Sequence, residues 1–453
     1  MHITMIHPAI GHKKGQSYIR TWQMESLPAA TIAGLTPDDV EFVFYDDRME
    51  AIPYHLPTDA VVISVETYTA KRAYQIASEY RKLGVPVIMG GFHATLMPRE
   101  VEQYAEAVII GEAELVWGQV IEDMRHGNLQ RNYQSAERPP LKGIKPDRSI
   151  FKGKRYLPIG LIETGRGCKY SCDFCAIASF FESSHRSRPI EDIIEEIESI
   201  MDEKNVFFFV DDNFIGDMEY AKALMRALIP LKIRWITQMS IDAAQDEELL
   251  QLMGKSGCVG VLIGFETLSK ENLALMNKSF NLSHGGYEEA LQKFERYHIR
   301  IYATFVFGYD NDTIESFEET VRFAIKHNFY IAAFNHLTPF PATPLYEKLK
   351  KEGRMLYEQW WLDENYHYND IPFIPKNLEA EQITELCVES RREFYSVSSI
   401  IKRMFAKSNY SNGFMLRNYL PINWMHRRDV SGRNGYPLGD ENYKGRLIKV
   451  GEL

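Results

Sequence analysis

The sequence predicts an α/β protein built from two successive parallel sheets, followed by a mostly helical and irregular extension. Three observations predict it. Short apolar runs alternate with segments of helical periodicity, twice along the chain. The apolar runs end on Gly, Asp, His or Thr-Pro, as strands do when they feed polar loops. A polar stretch without periodicity, residues 128–156, separates the two series and reads as a linker.

In the first series, strands are expected at residues 3–6, 40–45, 60–65, 85–89 and 107–110. Helices are expected at 70–83, closed by Gly84, and at 114–125. This order predicts a doubly wound parallel sheet over residues 1–127, with helices on both faces. Ligands of such sheets sit at the carboxyl ends of the strands. His7, Asp46, Glu66-Thr67, Gly90-Gly91 and Gly111-Glu112 fall there.

The second series spans residues 157–350. Strands are expected at 159–163, 206–210, 234–240, 260–265, 301–307 and 331–337. Helices at 190–204, 220–231, 246–256, 287–297 and 314–327 lie between them. Six strands with five helices suit a partial (β/α)6 barrel and are too few for the eightfold one. Residues 351–453 form the extension. It opens with Trp360, Trp361, Tyr366 and Tyr368, continues in a helix over 379–402, and ends in an aromatic and basic tail with Arg417, Trp424, Arg427 and Arg428.

Composition narrows the function classes. The 453 residues leave room for two or three domains. No apolar run reaches the ~18 residues of a membrane span, so no transmembrane segment is expected. Met1 to Pro8 lacks the basic-then-apolar pattern of a signal peptide, and a cytoplasmic location is expected. A net charge of −10 argues against charge-driven binding of nucleic acid. Of five cysteines, three lie within eight residues. That clustering points to metal or redox chemistry rather than a disulfide framework.

The cluster is Cys168, Cys172 and Cys175, spaced C-x3-C-x2-C on a loop after a strand. Thiolates are the usual ligands of iron–sulfur clusters. Three on one loop would hold three irons of a [4Fe–4S] cubane and leave the fourth open. A closed zinc site would need four ligands, and His185 is the nearby candidate for the fourth.

This motif, with Gly165 and Gly167 before it, resembles that of the radical S-adenosylmethionine (radical SAM) superfamily. The resemblance implies that the open iron chelates S-adenosylmethionine and that reductive cleavage yields a 5′-deoxyadenosyl radical, with the electron supplied by a reductant such as flavodoxin or ferredoxin. It implies that Phe174 lies by the adenine and that Asp211-Asp212-Asn213 meet the amino group. Gln238 and Ser240 would reach S-adenosylmethionine, and Glu266, in Gly264-Phe265-Glu266, would meet the ribose hydroxyls. Gly308-Tyr309-Asp310 and residues 338–344 resemble later barrel loops, with Ala342 where the family usually has Gly.

Residues 90–95 and 111–114 resemble segments of the flavodoxin-like cobalamin-binding domain that precedes this barrel in one large subgroup. Thr67, Gly90, Gly91, His93, Gly111 and Glu112 would then line the cobalamin. The Asp-x-His-x-x-Gly signature is absent, so no histidine is assigned to cobalt, and His93 taken alone reads as a structural residue before a cofactor contact. No cysteine precedes Cys168, unlike in the methylthiotransferases.

Residues 186–189, 209–213 and 262–266 look closest to the cobalamin-dependent radical SAM methylases, near the hopanoid and tetrapyrrole modifiers. The implied activity is C-methylation of an unactivated carbon with methylcobalamin and the deoxyadenosyl radical. The alternative keeps both cofactors but performs cyclisation, oxidation or rearrangement. The substrate would be a small molecule, a lipid, a tetrapyrrole or a peptide.

Overall fold

The computed structural model of the chain describes residues 1–283 and 285–452. It contains two compact units, each built on one six-stranded parallel sheet.

The first unit holds Met1–Leu157, Gln359–Tyr368 and the chain from Gly435. Its strands are β1 (His2–His7), β2 (Glu41–Asp46), β3 (Ala60–Ser64), β4 (Val87–Gly90), β5 (Ala107–Ile110) and β6 (Asn132–Gln134). They lie in the order β2-β1-β3-β4-β5-β6, every pair parallel. The central strands are buried along nearly their whole length, as a sheet covered on both faces requires. Helices α1 (Leu27–Leu35), α2 (Ala70–Lys82) and α3 (Trp117–Arg125) supply that cover. Ile3, Met5, Val62, Ile88 and Trp117 share one core. The strand order reverses between β1 and β3, which opens a crevice at their carboxyl ends.

The stretch 128–156 is part of this unit rather than a bare linker. Residues 132–134 pair with β5, and Phe151 packs edge-on against Phe44 at 5.7 Å. Its apolar residues Tyr133, Leu141, Ile144 and Phe151 are buried one at a time. That spacing carries no period to read.

The second unit holds Pro158–Glu358 and Asn369–Asn434. Its strands are β7 (Ile159–Ile162), β8 (Val206–Phe209), β9 (Trp235–Gln238), β10 (Cys258–Glu266), β11 (Ile301–Phe307) and β12 (Ile331–His336). They neighbour one another in chain order and are all parallel. Between them run α4 (Ile190–Ile200), α5 (Met218–Leu228), α6 (Glu247–Ser256), α7 (Gly286–Arg296) and α8 (Ile314–Lys326). Helix α4 buries Ile193, Ile197 and Ile200, one turn-spaced stripe. Helices α5 and α6 start on Asp217 and Asp246, whose carboxylates accept from the Tyr220 and Leu249 amides at 3.0 and 2.9 Å.

The extension divides between the units. The expected helix over 379–402 breaks into α9 (Ala380–Phe394) and α10 (Val397–Met404), because Ser396 is extended and caps the second. Helix α9 closes the outer side of β12, with Arg391 bonding the Phe334 carbonyl at 2.9 Å. The tail contains a further helix, α11 (Gly413–Arg433), which carries Pro421 in its interior. Pro421 hides it from a sequence reading, since proline usually ends a helix.

Candidate active site

The thiol loop of the second unit follows β7, and Asp211 and Asp212 fix its backbone. Asp211 Oδ1 accepts from the Thr164 and Gly165 amides at 2.8 and 2.5 Å, and its Oδ2 accepts from the Thr164 hydroxyl at 2.6 Å. Asp212 accepts from the Gly167 amide at 2.8 Å. Residues 165–167 also pair antiparallel with residues 185–187. Gly167 has φ +84°, and a Cβ there would lie 2.1 Å from the Ser184 carbonyl, so only glycine fits. Burial pushes Asp211 up to about 7, against the pull of its three hydrogen bonds. Burial likewise lifts Asp212 to about 6.

This geometry departs from the expected role of Asp211. Its carboxylate is buried and filled by the chain's own donors, so it positions the loop instead of facing a ligand. Asn213 is different. Its amide lies 3.8 Å from the Cys168 sulfur and 3.1 Å from the Ser240 hydroxyl. Gln238 ends β9 and is half-buried, and its carbonyl accepts from the Phe214 amide. Asn213 and Ser240 therefore meet beside the first cysteine.

The three thiols share one electrostatic environment. Burial pushes Cys172 up to about 12, with Lys278 opposing and Cys175, Glu266 and Cys168 adding to the rise. Burial also raises Cys168 and Cys175, and Lys278 opposes it at both. Among the described residues, no three His, Cys, Asp or Glu side chains already stand at metal-holding distances. The donor set nonetheless suits thiolate ligation: three sulfurs stand on one loop, and the Lys278 cation opposes the burial that keeps each of them protonated. His185 packs over Gly216, where a Cβ would come within 2.4 Å of its ring, on the strand paired with the loop.

Lys278 is the residue that sequence reasoning missed. Its ammonium is 2.5 Å from Glu266 Oε1. Burial alone would lower it, but Glu266 and Cys172 outweigh burial and hold it above the ordinary lysine range. Glu266 is a non-glycine residue at φ +63°, where the β10 register slips. Such strain persists only where the surroundings enforce it. Gly264 makes the room: a Cβ there would lie 2.2 Å from Glu266 Oε1 and 2.9 Å from Lys278 Nζ. The one local signal for Lys278 is the preceding Asn277, at φ +55°, whose amide bonds Ser171 in the thiol loop at 3.0 Å. Phe174 lies below the Lys278 ammonium at 6.0 Å and meets Tyr309 edge-on at 6.5 Å. Tyr309 donates to Asp173 at 2.6 Å. Ala342 adopts φ +59°, the conformation that glycine takes most easily.

In the first unit, the expected cofactor contacts separate into two groups. Gly90, Gly91, Gly111 and Glu112 lie at the carboxyl ends of β4 and β5. Gly91 has φ +102°, and a Cβ there would lie 2.9 Å from the Val65 carbonyl. Gly111 faces open space, and Glu112 pairs with Arg138 at 3.4 Å. Thr67 and His93 are instead buried and bonded to each other, Nδ1 to Oγ1, at 3.3 Å. The other His93 nitrogen meets Glu100 at 3.1 Å, and Glu100 also accepts from Tyr74 and Trp361. With both ring nitrogens engaged, His93 has no lone pair left for a metal. A cavity of about 860 Å³ opens nearer β1 and β2, lined by His12, Asp47, Arg48, Arg72, Lys154 and Asp440 among others.

Residues 162–324 match a family model described as the Radical SAM superfamily. The bacteriochlorophyllide d C-12(1)-methyltransferase of Chlorobaculum tepidum is 31% identical over 405 residues, 87% of this chain and 85% of that protein. The chain belongs to the cobalamin-binding radical SAM enzymes. Another relative, the anaerobic magnesium-protoporphyrin IX monomethyl ester cyclase of Cereibacter sphaeroides, is 26% identical over 99% of this chain and 78% of its own. The fold agrees with the radical SAM methyltransferase TsrM of Kitasatospora setae, solved with cobalamin and a [4Fe–4S] cluster. That likeness has a TM-score of 0.67 at 15% identity and covers 95% of this chain and 99% of the other. The flavodoxin-like first sheet and the open barrel of the second are thus the architecture of this enzyme family. Among the described residues, no helix is long and apolar enough to cross a membrane.

Proposed function

We propose that this enzyme is a C-methyltransferase acting on an unactivated carbon of a tetrapyrrole. The observation that carries the reading is the thiol loop, backed by Asp211 and Asp212 and facing the buried Lys278–Glu266 pair. The extended match to a bacteriochlorophyllide methyltransferase supports methyl transfer and the substrate class. Cys168, Cys172 and Cys175 would hold a [4Fe–4S] cluster, and Gly90, Gly91, Gly111 and Glu112 would border cobalamin. When bound, these groups and S-adenosylmethionine supply one-electron chemistry and a methyl carrier.

The chain's own residues then have separable tasks. Asp211 and Asp212 hold the loop backbone so that the sulfurs stay in register. Asn213 and Ser240 offer an amide and a hydroxyl beside Cys168, where a ligand's ammonium and carboxylate would be bonded, and Gln238 ends the same strand. Lys278 offers a cation to an anionic group. Glu266 offers carboxylate oxygens to paired hydroxyls. Phe174 gives an apolar face for a flat ring.

The 26% identity to a ring-forming enzyme over nearly the whole chain favours one second reading, cyclisation without methyl transfer. The experiment separates them. The reconstituted enzyme is incubated anaerobically with a chlorin or porphyrin acid, a reductant and S-adenosylmethionine carrying a deuterated methyl group. A product bearing the labelled methyl supports methylation. An altered tetrapyrrole without label overturns it in favour of cyclisation. In the Cys172→Ala variant, cleavage of S-adenosylmethionine is expected to cease; continued cleavage would remove the cluster assignment.

A further inference from the structure

Helices α10 and α11 pack as an antiparallel pair. Arg427 bonds the Tyr395 carbonyl at 2.8 Å, and Tyr419 bonds the Ile400 carbonyl at 3.0 Å. Ile400 and Arg403 form the buried side of the first helix, and Met415, Tyr419 and Asn423 that of the second. A quarter-turn away, each helix carries an exposed apolar stripe. Val397, Ile401 and Phe405 repeat at four-residue spacing on one, and Leu416, Leu420 and Trp424 on the other. Phe405 is 69% exposed and Trp424 54%. Single exposed apolar residues are ordinary. Two helical stripes of large ones mark an interaction surface.

The charge on this hairpin is opposite to that of the chain. Residues 397–433 contain seven Lys or Arg and one acid, Asp429, in a protein of net charge −10. Arg403 is buried and bonds the Phe329 and Phe394 carbonyls. Lys402, Lys407, Arg417, Arg427 and Arg428 are exposed. Large apolar side chains flanked by exposed cations on a helix pair are the pattern of an interfacial membrane anchor. An RNA partner would call for stacking rings along the basic face, whereas four of these six residues are aliphatic. A second copy of the same face would set like charges against each other.

We propose that this hairpin lies in the surface of a membrane rich in anionic lipid, with both stripes inserted at headgroup depth and Lys402, Lys407, Arg417 and Arg428 on lipid phosphates. Each cation near such a surface strengthens binding by about fivefold, and the gain fades with salt. The surface would keep the enzyme where apolar substrates dissolve.

The test is vesicle flotation of the full-length enzyme with its cofactors. Vesicles of equal parts phosphatidylcholine and phosphatidylglycerol are compared with phosphatidylcholine alone, at low and high salt. The enzyme is expected to float with the anionic vesicles, and to do so less at high salt. A Leu420→Ser/Trp424→Ser variant and a separate Ile401→Ser/Phe405→Ser variant are each expected to bind about tenfold more weakly or worse. All four residues are exposed, so circular dichroism and iron content are expected to stay unchanged. Absence of flotation with anionic vesicles overturns the proposal, as does equal flotation of both variants. A dimer in sedimentation that either variant dissolves also overturns it, because a second copy then covers the stripes.

Discussion

Asp211 and Lys278 show how burial decides a residue's task. Asp211 sits in an acidic run that the sequence offers as a ligand contact, yet its oxygens are taken by Thr164 and Gly165. Its carboxyl is held at about 7 in the fold, above its ordinary 3.8. An acid raised in this way binds its proton more tightly when folded. Stability is therefore lost as pH rises from about 4 to about 7, by up to about 4 kcal/mol. Asp211→Asn keeps the shape and removes the titration. The difference in melting temperature between variant and parent is expected to move in the variant's favour across that window; a constant difference would dismiss the linkage. Lys278 was not legible, because an Asn-Lys pair such as Asn277-Lys278 is equally what a surface turn shows. Only the turn at Asn277 and the bulge at Glu266 bring it inward. Lys278→Met is expected to cost about 3–5 kcal/mol by leaving Glu266 buried without its partner. Adding Glu266→Gln is expected to recover most of that loss in a denaturant double-mutant cycle. Additive losses would mean the pair is uncoupled. The three cysteines were legible, since their spacing survives any tertiary rearrangement of a short loop.

At the level of elements, both sheets were readable because parallel strands buried on both faces write themselves as apolar runs. Several elements were not, helix α1 among them. Strand β6 is three residues long with only Tyr133 buried. The break at Ser396 rests on one extended residue inside a helical pattern, and α11 runs through Pro421. Each depends on contacts from outside its own segment. The end of β4 gives a test at this scale. Gly91 holds φ +102° against the Val65 carbonyl. Gly91→Ala is expected to destabilise the protein by about 1–3 kcal/mol in chemical denaturation, from the backbone conformation plus the clash. The proposed cobalamin border also predicts lower cobalamin retention after anaerobic purification. Full stability in this variant would show that the strand end relaxes freely.

At the level of the molecule, the C-terminal stretch is bound into the first unit. The Gly439 amide bonds the Ile10 carbonyl, the Asp440 amide bonds Gln75, the Ile448 amide bonds Ser78 and the Val450 amide bonds the Gln103 carbonyl. Ending the chain before Gly435 is expected to raise amide exchange along α2 by about tenfold or more. Unchanged exchange there would show that α2 holds without the strap. The sequence by itself determined two parallel sheets, the place of the polar strand ends and the three clustered thiols, because periodicity and short-range spacing are local properties. The tertiary structure alone decided that Asp211 backs the loop, that His93 is closed off by Thr67 and Glu100, and that Lys278 meets Glu266. It also decided that the last residues return to the first sheet. Those outcomes rest on contacts between residues far apart in the chain, where burial sets which polar groups remain free, and no local pattern records them.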